Sequence, residues 1–283
     1  MYSDIASNKR KTFFLMIVFI VVVFGIGWAY GEWSGDRVGG LVLAAVLSIT
    51  MNLVGYFKSD KIALATAKAK VIEKQEHPEL WNIVENLAIT AGIPMPKVAI
   101  IHDPSPNAFA TGRNPEHAVI AVTTGLLETL NRAELEGVVS HEMSHIKNYD
   151  ILLMTVAVVL IGSITLLARF AHFGGNKRGE GGPLVIIGLI FLILSPIIGE
   201  LMKMAISRKR EYLADASGAL LTRYPEGLAS ALEKISADGS SLHTASPAIA
   251  HLFISNPFGA RTANFFSTHP PIEDRVKRLR GMI

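Results

Sequence analysis

Four uncharged blocks dominate the hydropathy pattern: Thr12–Tyr30, Val38–Phe57, Ile151–Ala168 and Pro183–Gly199. A helix of about 20 apolar residues crosses a bilayer core of roughly 30 Å. The first two blocks meet that length. The last two fall slightly short, and neighbouring residues or a thinned bilayer complete them. The pattern predicts spans at about 12–30, 38–57, 151–170 and 183–202, paired as two helical hairpins. Pro196 should kink the fourth. Lys9-Arg10-Lys11 before an apolar run also resembles a signal peptide, but the run exceeds a 7–15-residue apolar core and no A-x-A site follows. An uncleaved hairpin is the expectation.

Basic residues set the orientation. Lys9, Arg10 and Lys11 precede span one, and Lys58, Lys61, Lys68 and Lys70 follow span two. The positive-inside rule places both ends in the cytoplasm. Lys203, Arg208, Lys209 and Arg210 after span four agree, and outnumber Lys177 and Arg178 in the outer loop. The expected organisation is a hairpin over 1–57, a cytoplasmic part over 58–150, a second hairpin over 151–202 and a second cytoplasmic part over 203–283.

Between the hairpins the period changes. Leu80, Ile83, Val84, Leu87 and Ala88 share one helical face across Pro78–Ala91, with Pro94 and Pro96 as the stop. Val98–Ile101 and Ala118–Val122 read as strands, Asn107–Thr111 as a short extended segment, and Gly112, Asn114 and Pro115 as the turn between the last two. Asn131 with Glu134 forms a capping box that opens a further helix. The fold class is α+β: a mainly helical integral membrane protein carrying a small sheet.

Composition agrees. Half of the 283 residues are hydrophobic and 18% are charged, against a usual ~25%. There is no cysteine, which removes thiolate metal sites, thiol nucleophiles and disulfides. Lys and Arg exceed Asp and Glu by 27 to 24, too little to point to nucleic acid.

The helix opened by Asn131 carries His141-Glu142-Met143-Ser144-His145. Histidines four apart share a helix face and can grip one tetrahedral zinc ion. Glu142 lies about 100° round the helix, in reach of a water on that metal. A catalytic zinc site needs a third protein ligand and one open position, and the metal brings its water to a pKa near 7. A shuffled chain of this composition gives roughly 0.02 such motifs, so the signal is moderate alone. Glu211 supplies a third ligand, with Asp215 one turn later to receive the second N–H of a ligating histidine. Taken alone, Glu211 and Asp215 are better explained as an ordinary helix with paired charges, and topology decides between the two readings. Two spans separate His145 from Glu211, and two is even. All three candidates therefore lie on one side of the membrane and near its surface.

His141–His145 continued by Lys147-Asn148-Tyr149-Asp150, the Glu211–Asp215 segment, His269-Pro270 with Arg275, and Pro106-Asn107-Ala108-Phe109-Ala110-Thr111-Gly112 together resemble the HtpX membrane zinc metallopeptidases, relatives of the CAAX prenyl endopeptidases. The resemblance runs from the first span to the end of the chain. It implies a zincin-like (gluzincin) domain in the cytoplasm of a bacterium, anchored in the inner membrane with both termini inside. It implies endoproteolysis of misfolded or damaged membrane proteins in quality control and stress response, with room for cooperation with other membrane proteases. It implies one zinc ion per chain on His141, His145 and Glu211, Glu142 as base, Asp215 and Asn148 behind the ligands, and His269 as oxyanion donor. Asn107, Ala108, Phe109 and Ala110 would form the edge strand that pairs with a peptide. Arg275 would assist the oxyanion or pair with Glu273 or Asp274.

The other histidines (His77, His102, His117, His172, His243, His251) lack pair spacing and read as bystanders. Glu200, at the inner end of span four, is an ionisable residue near lipid. The stretch from Asp238 to Thr268 is too long for an ordinary connection and, with its Phe residues, reads as a lid or a membrane-contacting loop. Two rivals stay open: a zinc-containing adaptor or chaperone without proteolysis, which would not need Glu142, and a metal transporter, which would want ionisable residues inside the spans.

Overall fold

The computed structural model describes residues 2–160, 162, 208–244, 246, 248–258 and 270–282. It opens with α1 (Tyr2–Ser34) and α2 (Arg37–Phe57), both long and apolar enough to cross a membrane. The α1 helix begins at Tyr2 rather than Thr12, so Lys9, Arg10 and Lys11 lie within it. Asp36 caps α2 by accepting the Gly39 N–H at 2.8 Å. The two helices approach through glycines. A Cβ on Gly40 would sit 2.9 Å from the Gly31 Cα. Only small residues allow that approach, which suits helices that gain nothing from hydrophobic burial in lipid.

The intervening part is built as the periodicity predicts. After α3 (Ser59–Thr66) and the two-residue β1 (Lys70–Val71) comes α4 (Pro78–Ala91). Its stop is Gly92, in the left-handed region at φ 69°, before either proline is reached. Strands β2 (Lys97–Ile101), β3 (Ala108–Gly112) and β4 (Ala118–Thr123) join β1 in one sheet of order β1-β2-β4-β3. Strands β2 and β4 are parallel, and the outer two run antiparallel to their neighbours. Every residue of β3 and β4 is buried, so these strands carry apolar residues without polar alternation.

The two faces of the sheet serve different neighbours. Val98, Ala108, Ala110, Ile120 and Val122 join the main core. The alternate residues Ala99, Ile101, Phe109, Val119 and Ala121 meet Met154, Val158, Leu252 and Phe253. Short α5 (Thr124–Thr129) leads into α6 (Arg132–Lys147), whose capping box of Asn131 and Glu134 is formed on both sides. A turn at Asn148-Tyr149 then bends the chain by 82° into α7 (Asp150–Leu160). This is the part of the predicted third span that lies within the described residues. The predicted fourth span, with Pro196 and Glu200, lies outside them.

The chain continues in α8 (Arg208–Thr222), α9 (Pro225–Asp238) and α10 (Ile272–Arg280). Helix α6 is buried along nearly its whole length, against α4, the sheet, α8 and α9. Where α8 crosses α6, a Cβ on Gly218 would lie 3.0 Å from the His141 backbone nitrogen, so glycine sets the helix separation at the motif. The Asp238–Thr268 stretch is not a free lid where it is described. Leu242, Ile249, Leu252, Phe253 and Ile254 are all buried in the sheet's two cores. Their apolar side chains are covered by protein, which removes the reason to seek lipid. Phe265 and Phe266 lie outside the described residues.

Candidate metal centre

Helix α6 presents His141 and His145 one turn apart, and α8 brings Glu211 against them. One ligand atom from each of the three lies within 4.8 Å of the others. The two Nε2 atoms are 3.2 Å apart. Glu211 oxygens lie 3.8 Å from His141 Nε2 and 3.5 Å from His145 Nε2. All three side chains are buried. This is the one such group among the described residues. None of His77, His102, His117, His243 and His251 belongs to it. His77 caps α4 by accepting the Leu80 N–H, and buried His251 donates through Nε2 to the Met154 carbonyl.

Each histidine is held from behind by a carboxylate. The His141 Nδ1 faces Asp215 Oδ1 at 2.9 Å, and the His145 Nδ1 faces Asp150 Oδ2 at 2.9 Å. Both Nδ1–H groups thus donate outward and both Nε2 atoms turn to the shared space. The residue behind His145 is Asp150, not Asn148. Tyr149 adopts a left-handed φ of 59°, which turns Asp150 back under the histidine. That conformation costs a non-glycine residue roughly 1 kcal/mol. Asn148 instead ends α6, with its backbone N–H on the Ser144 carbonyl.

Arg275 is fully buried, at 0% exposure, and its partner is Asp215 rather than Glu273 or Asp274. Its Nε donates to Oδ2 at 2.9 Å and its Nη2 to Oδ1 at 2.7 Å, a bidentate pair. Glu273 and Asp274 sit in the first turn of the same helix, while Arg275 points inward between α8 and Ile254, whose carbonyl accepts from its Nη1 at 3.4 Å. His269 lies outside the described residues.

The electrostatics fit a cation. Burial pulls the His145 imidazole down, but Asp150 and Glu211 more than reverse this and push it up to about 9. Burial lowers His141 to about 4 despite Asp215. The carboxylates of Asp150 and Glu211 thus favour positive charge in the space that the two imidazoles share. Two imidazole nitrogens and one carboxylate are a donor set that zinc accepts. Burial raises the Glu142 carboxyl to about 7, although His145 and the Ala110 N–H both favour its charged form. Burial also raises Asp215, but Arg275 and His141 bring it down to about 2, so it stays ionised.

The outer edge of β3 is partly taken. The Ile254 N–H donates to the Ala108 carbonyl at 2.9 Å. The Asn107 side-chain amide donates to the Ser255 carbonyl at 3.0 Å and accepts the Ser255 N–H at 3.3 Å. Phe109 and Phe253 meet edge to face at 5.0 Å. A peptide pairing at Asn107 or Ala108 would have to take the place of these residues. No short-range pattern announced this contact, which joins residues 148 apart in the chain.

Residues 74–283 match peptidase family M48. A protease HtpX homolog of Caldanaerobacter subterraneus subsp. tengcongensis is 46% identical over 293 residues, covering 100% of this chain and 98% of the relative. One from Thermoanaerobacter pseudethanolicus is 47% identical over the same length and coverage. One from Tropheryma whipplei is 46% identical over 288 residues, again covering 100% and 98%. The crystal structure of S. mikatae Ste24p shares the fold, with a TM-score of 0.52 at 18% identity over 99% of this chain and 67% of that one. Two membrane-length helices, a His-His-Glu group and relatives matched from end to end lead to one assignment: the chain belongs to peptidase family M48 and is a membrane metallopeptidase.

Proposed function

We propose that this protein is a zinc endopeptidase of the bacterial inner membrane that cuts misfolded or damaged membrane proteins where they emerge at the cytoplasmic surface. The observation that carries the reading is the convergence of His141, His145 and Glu211 beside Glu142, all four side chains being buried. The three ligands would hold one zinc ion, which supplies Lewis acidity for the scissile carbonyl and eases deprotonation of water. Glu142 takes the proton of the attacking water on its carboxylate and returns it to the leaving amine. Its burial supports this, because a carboxyl with a pKa pushed up to about 7 is suited to both steps near neutral pH. Asp215 and Asp150 orient His141 and His145 by accepting their Nδ1–H groups. Arg275 keeps Asp215 ionised and in place. His269 is assigned the oxyanion from the family resemblance. The Asn107–Ala110 strand is assigned the extended substrate from the family resemblance, and pairing there would displace Phe253, Ile254 and Ser255 from the β3 edge.

Only the two-residue turn Asn148-Tyr149 separates the motif helix from α7, the start of the third apolar block, which supports a site close to the bilayer. Membrane-protein segments then reach it more readily than free chains do. Four spans with the catalytic parts inside complete the proposed topology. The absence of cysteine makes it directly testable. In intact spheroplasts, Ser34→Cys is expected to react with a membrane-impermeant maleimide, and Gln75→Cys only after permeabilisation. Labelling of Gln75→Cys in intact spheroplasts would reverse the orientation.

The activity test is zinc content with casein cleavage in detergent, for wild type and His145→Ala. One zinc per chain and phenanthroline-sensitive cleavage are expected in wild type, with both lost in the variant. Equal cleavage by the two proteins would remove the metal site from the reaction.

A further inference from the structure

The first helix does more than anchor the chain. On α1 the residues Asn8, Thr12, Leu15, Phe19 and Val23 are buried, while Lys9, Arg10, Phe13 and Phe14 are exposed. One stripe is thus covered by protein, polar at its start and apolar beyond. Its apolar part packs on Leu152, Leu153, Val156, Ala157 and Leu160 of α7. Its polar part lies against the turn between α6 and α7.

Asn8 uses both ends of its amide there. The Nδ2 donates to Asp150 Oδ1 at 2.7 Å and to the Asn148 carbonyl at 3.0 Å. The Oδ1 accepts from Arg210 Nη1 at 3.5 Å, and Arg210 also lies 3.6 Å from Asp150 Oδ1. Thr12 Oγ1 donates to the Asn8 carbonyl at 2.9 Å. The neighbouring Lys9 ammonium stands 4.4 Å over the Tyr149 ring. Two adjacent residues of α1 therefore grip all three residues of the turn, including the left-handed Tyr149. The other oxygen of Asp150 is the one that receives His145 Nδ1. The connection from helix to candidate ligand is Asn8 Nδ2–H to Asp150 carboxylate to His145 imidazole, with each member buried.

We infer that Asn8 is a positioning residue for the metal centre: the membrane helix α1 sets the orientation of His145 through Asp150. The inference rests on His145 being a metal ligand, as proposed above. Without Asn8 the Oδ1 of Asp150 keeps only the longer 3.6 Å contact with Arg210, and the carboxylate is held less firmly against the imidazole it orients. Groups one step behind a ligand change metal affinity by about 10–100-fold when removed. Asn8 stands one step further out, which places its effect near the lower end. Nothing in the local sequence marks this role, because Asn8 and Asp150 are 142 residues apart.

The test measures zinc affinity of the full chain in detergent by competition with a chromophoric chelator. It compares wild type, His145→Ala, Asn8→Ala, Asn8→Leu and Arg10→Ala. Asn8→Leu keeps the branched shape of four heavy atoms and removes the hydrogen bonds. Arg10→Ala disturbs an exposed position on the same turn. Expected is about tenfold weaker zinc binding in both Asn8 variants, wild-type affinity in Arg10→Ala, and a cobalt(II) visible spectrum altered in the Asn8 variants but not in Arg10→Ala. In the Asn8→Ala background, Asp150→Asn should cost less affinity than it does in wild type. Wild-type affinity in folded Asn8→Ala and Asn8→Leu would overturn the inference. So would failure of both to fold, which would assign Asn8 to assembly of the chain. If wild type and His145→Ala bind zinc alike, the metal-site reading fails instead, and the two failures are thereby distinguished.

Discussion

Glu142→Gln is expected to lower peptide hydrolysis by about a thousandfold, within the 10²–10⁴ range of a lost general base. Zinc content should not change, because the ligands are His141, His145 and Glu211 in the proposed site. Gln can still accept the Ala110 N–H that reaches the native carboxylate. What it cannot do is accept a proton from water. The buried setting makes the substitution mild for the fold, since a neutral amide replaces a carboxylate that burial already penalises. The check is casein cleavage with zinc analysis on the same preparations. Retained zinc with lost cleavage separates the peptidase from an adaptor or chaperone, which has no use for a base. Unchanged cleavage in the variant would sink the assignment of Glu142.

The second large effect is on stability. Arg275→Met is expected to destabilise the protein by about 3–5 kcal/mol, the usual cost of removing one partner of a buried ion pair. Arg275 is fully buried and bidentate to Asp215, so its loss strands a buried carboxylate beside His141. Thermal unfolding in detergent reads the effect. The double variant Asp215→Leu with Arg275→Met should recover much of that stability, because two apolar residues leave no uncompensated charge. It should not recover zinc affinity, which is expected to stay about 10–100-fold weaker without a carboxylate behind His141. This divergence of stability from metal binding is the specific signature. If the double variant binds zinc like wild type, Asp215 does not orient the ligand.

Much of the site was legible because its signals are local. Asn131 and Glu134 meet within one helical turn, and the capping box they announce is formed. His141 and His145 need only the helix period to share a face. Glu211 and Asp215 follow the same period on a second helix, and packing brings Glu211 against the two histidines. The strands Lys97–Ile101 and Ala118–Thr123 follow from short apolar runs between turns.

The unread parts share one cause, which is distance along the chain. Asp150 lies five residues beyond His145, off the helix face, and reaches it only because Tyr149 takes a left-handed turn that its residue type does not favour. Arg275 has two acidic neighbours in its own helix, yet it pairs with a residue 60 positions away because packing turns it inward. Ile254 and Ser255 cover the β3 edge from a stretch whose apolar residues fit a lid equally well on paper. Asn8 sits among basic residues whose obvious reading is membrane orientation.

Local periods and spacings of a few residues are enough for the two N-terminal membrane-length helices, three of the four strands, and the His141–His145 pair with Glu142 on one helix. Packing between distant elements selects which carboxylate stands behind each histidine, what holds Asp215, what occupies the sheet edge and how the first helix meets the candidate metal centre. Those contacts depend on side-chain packing between elements that no local period relates. A buried polar group takes whichever partner the packing brings within hydrogen-bond reach.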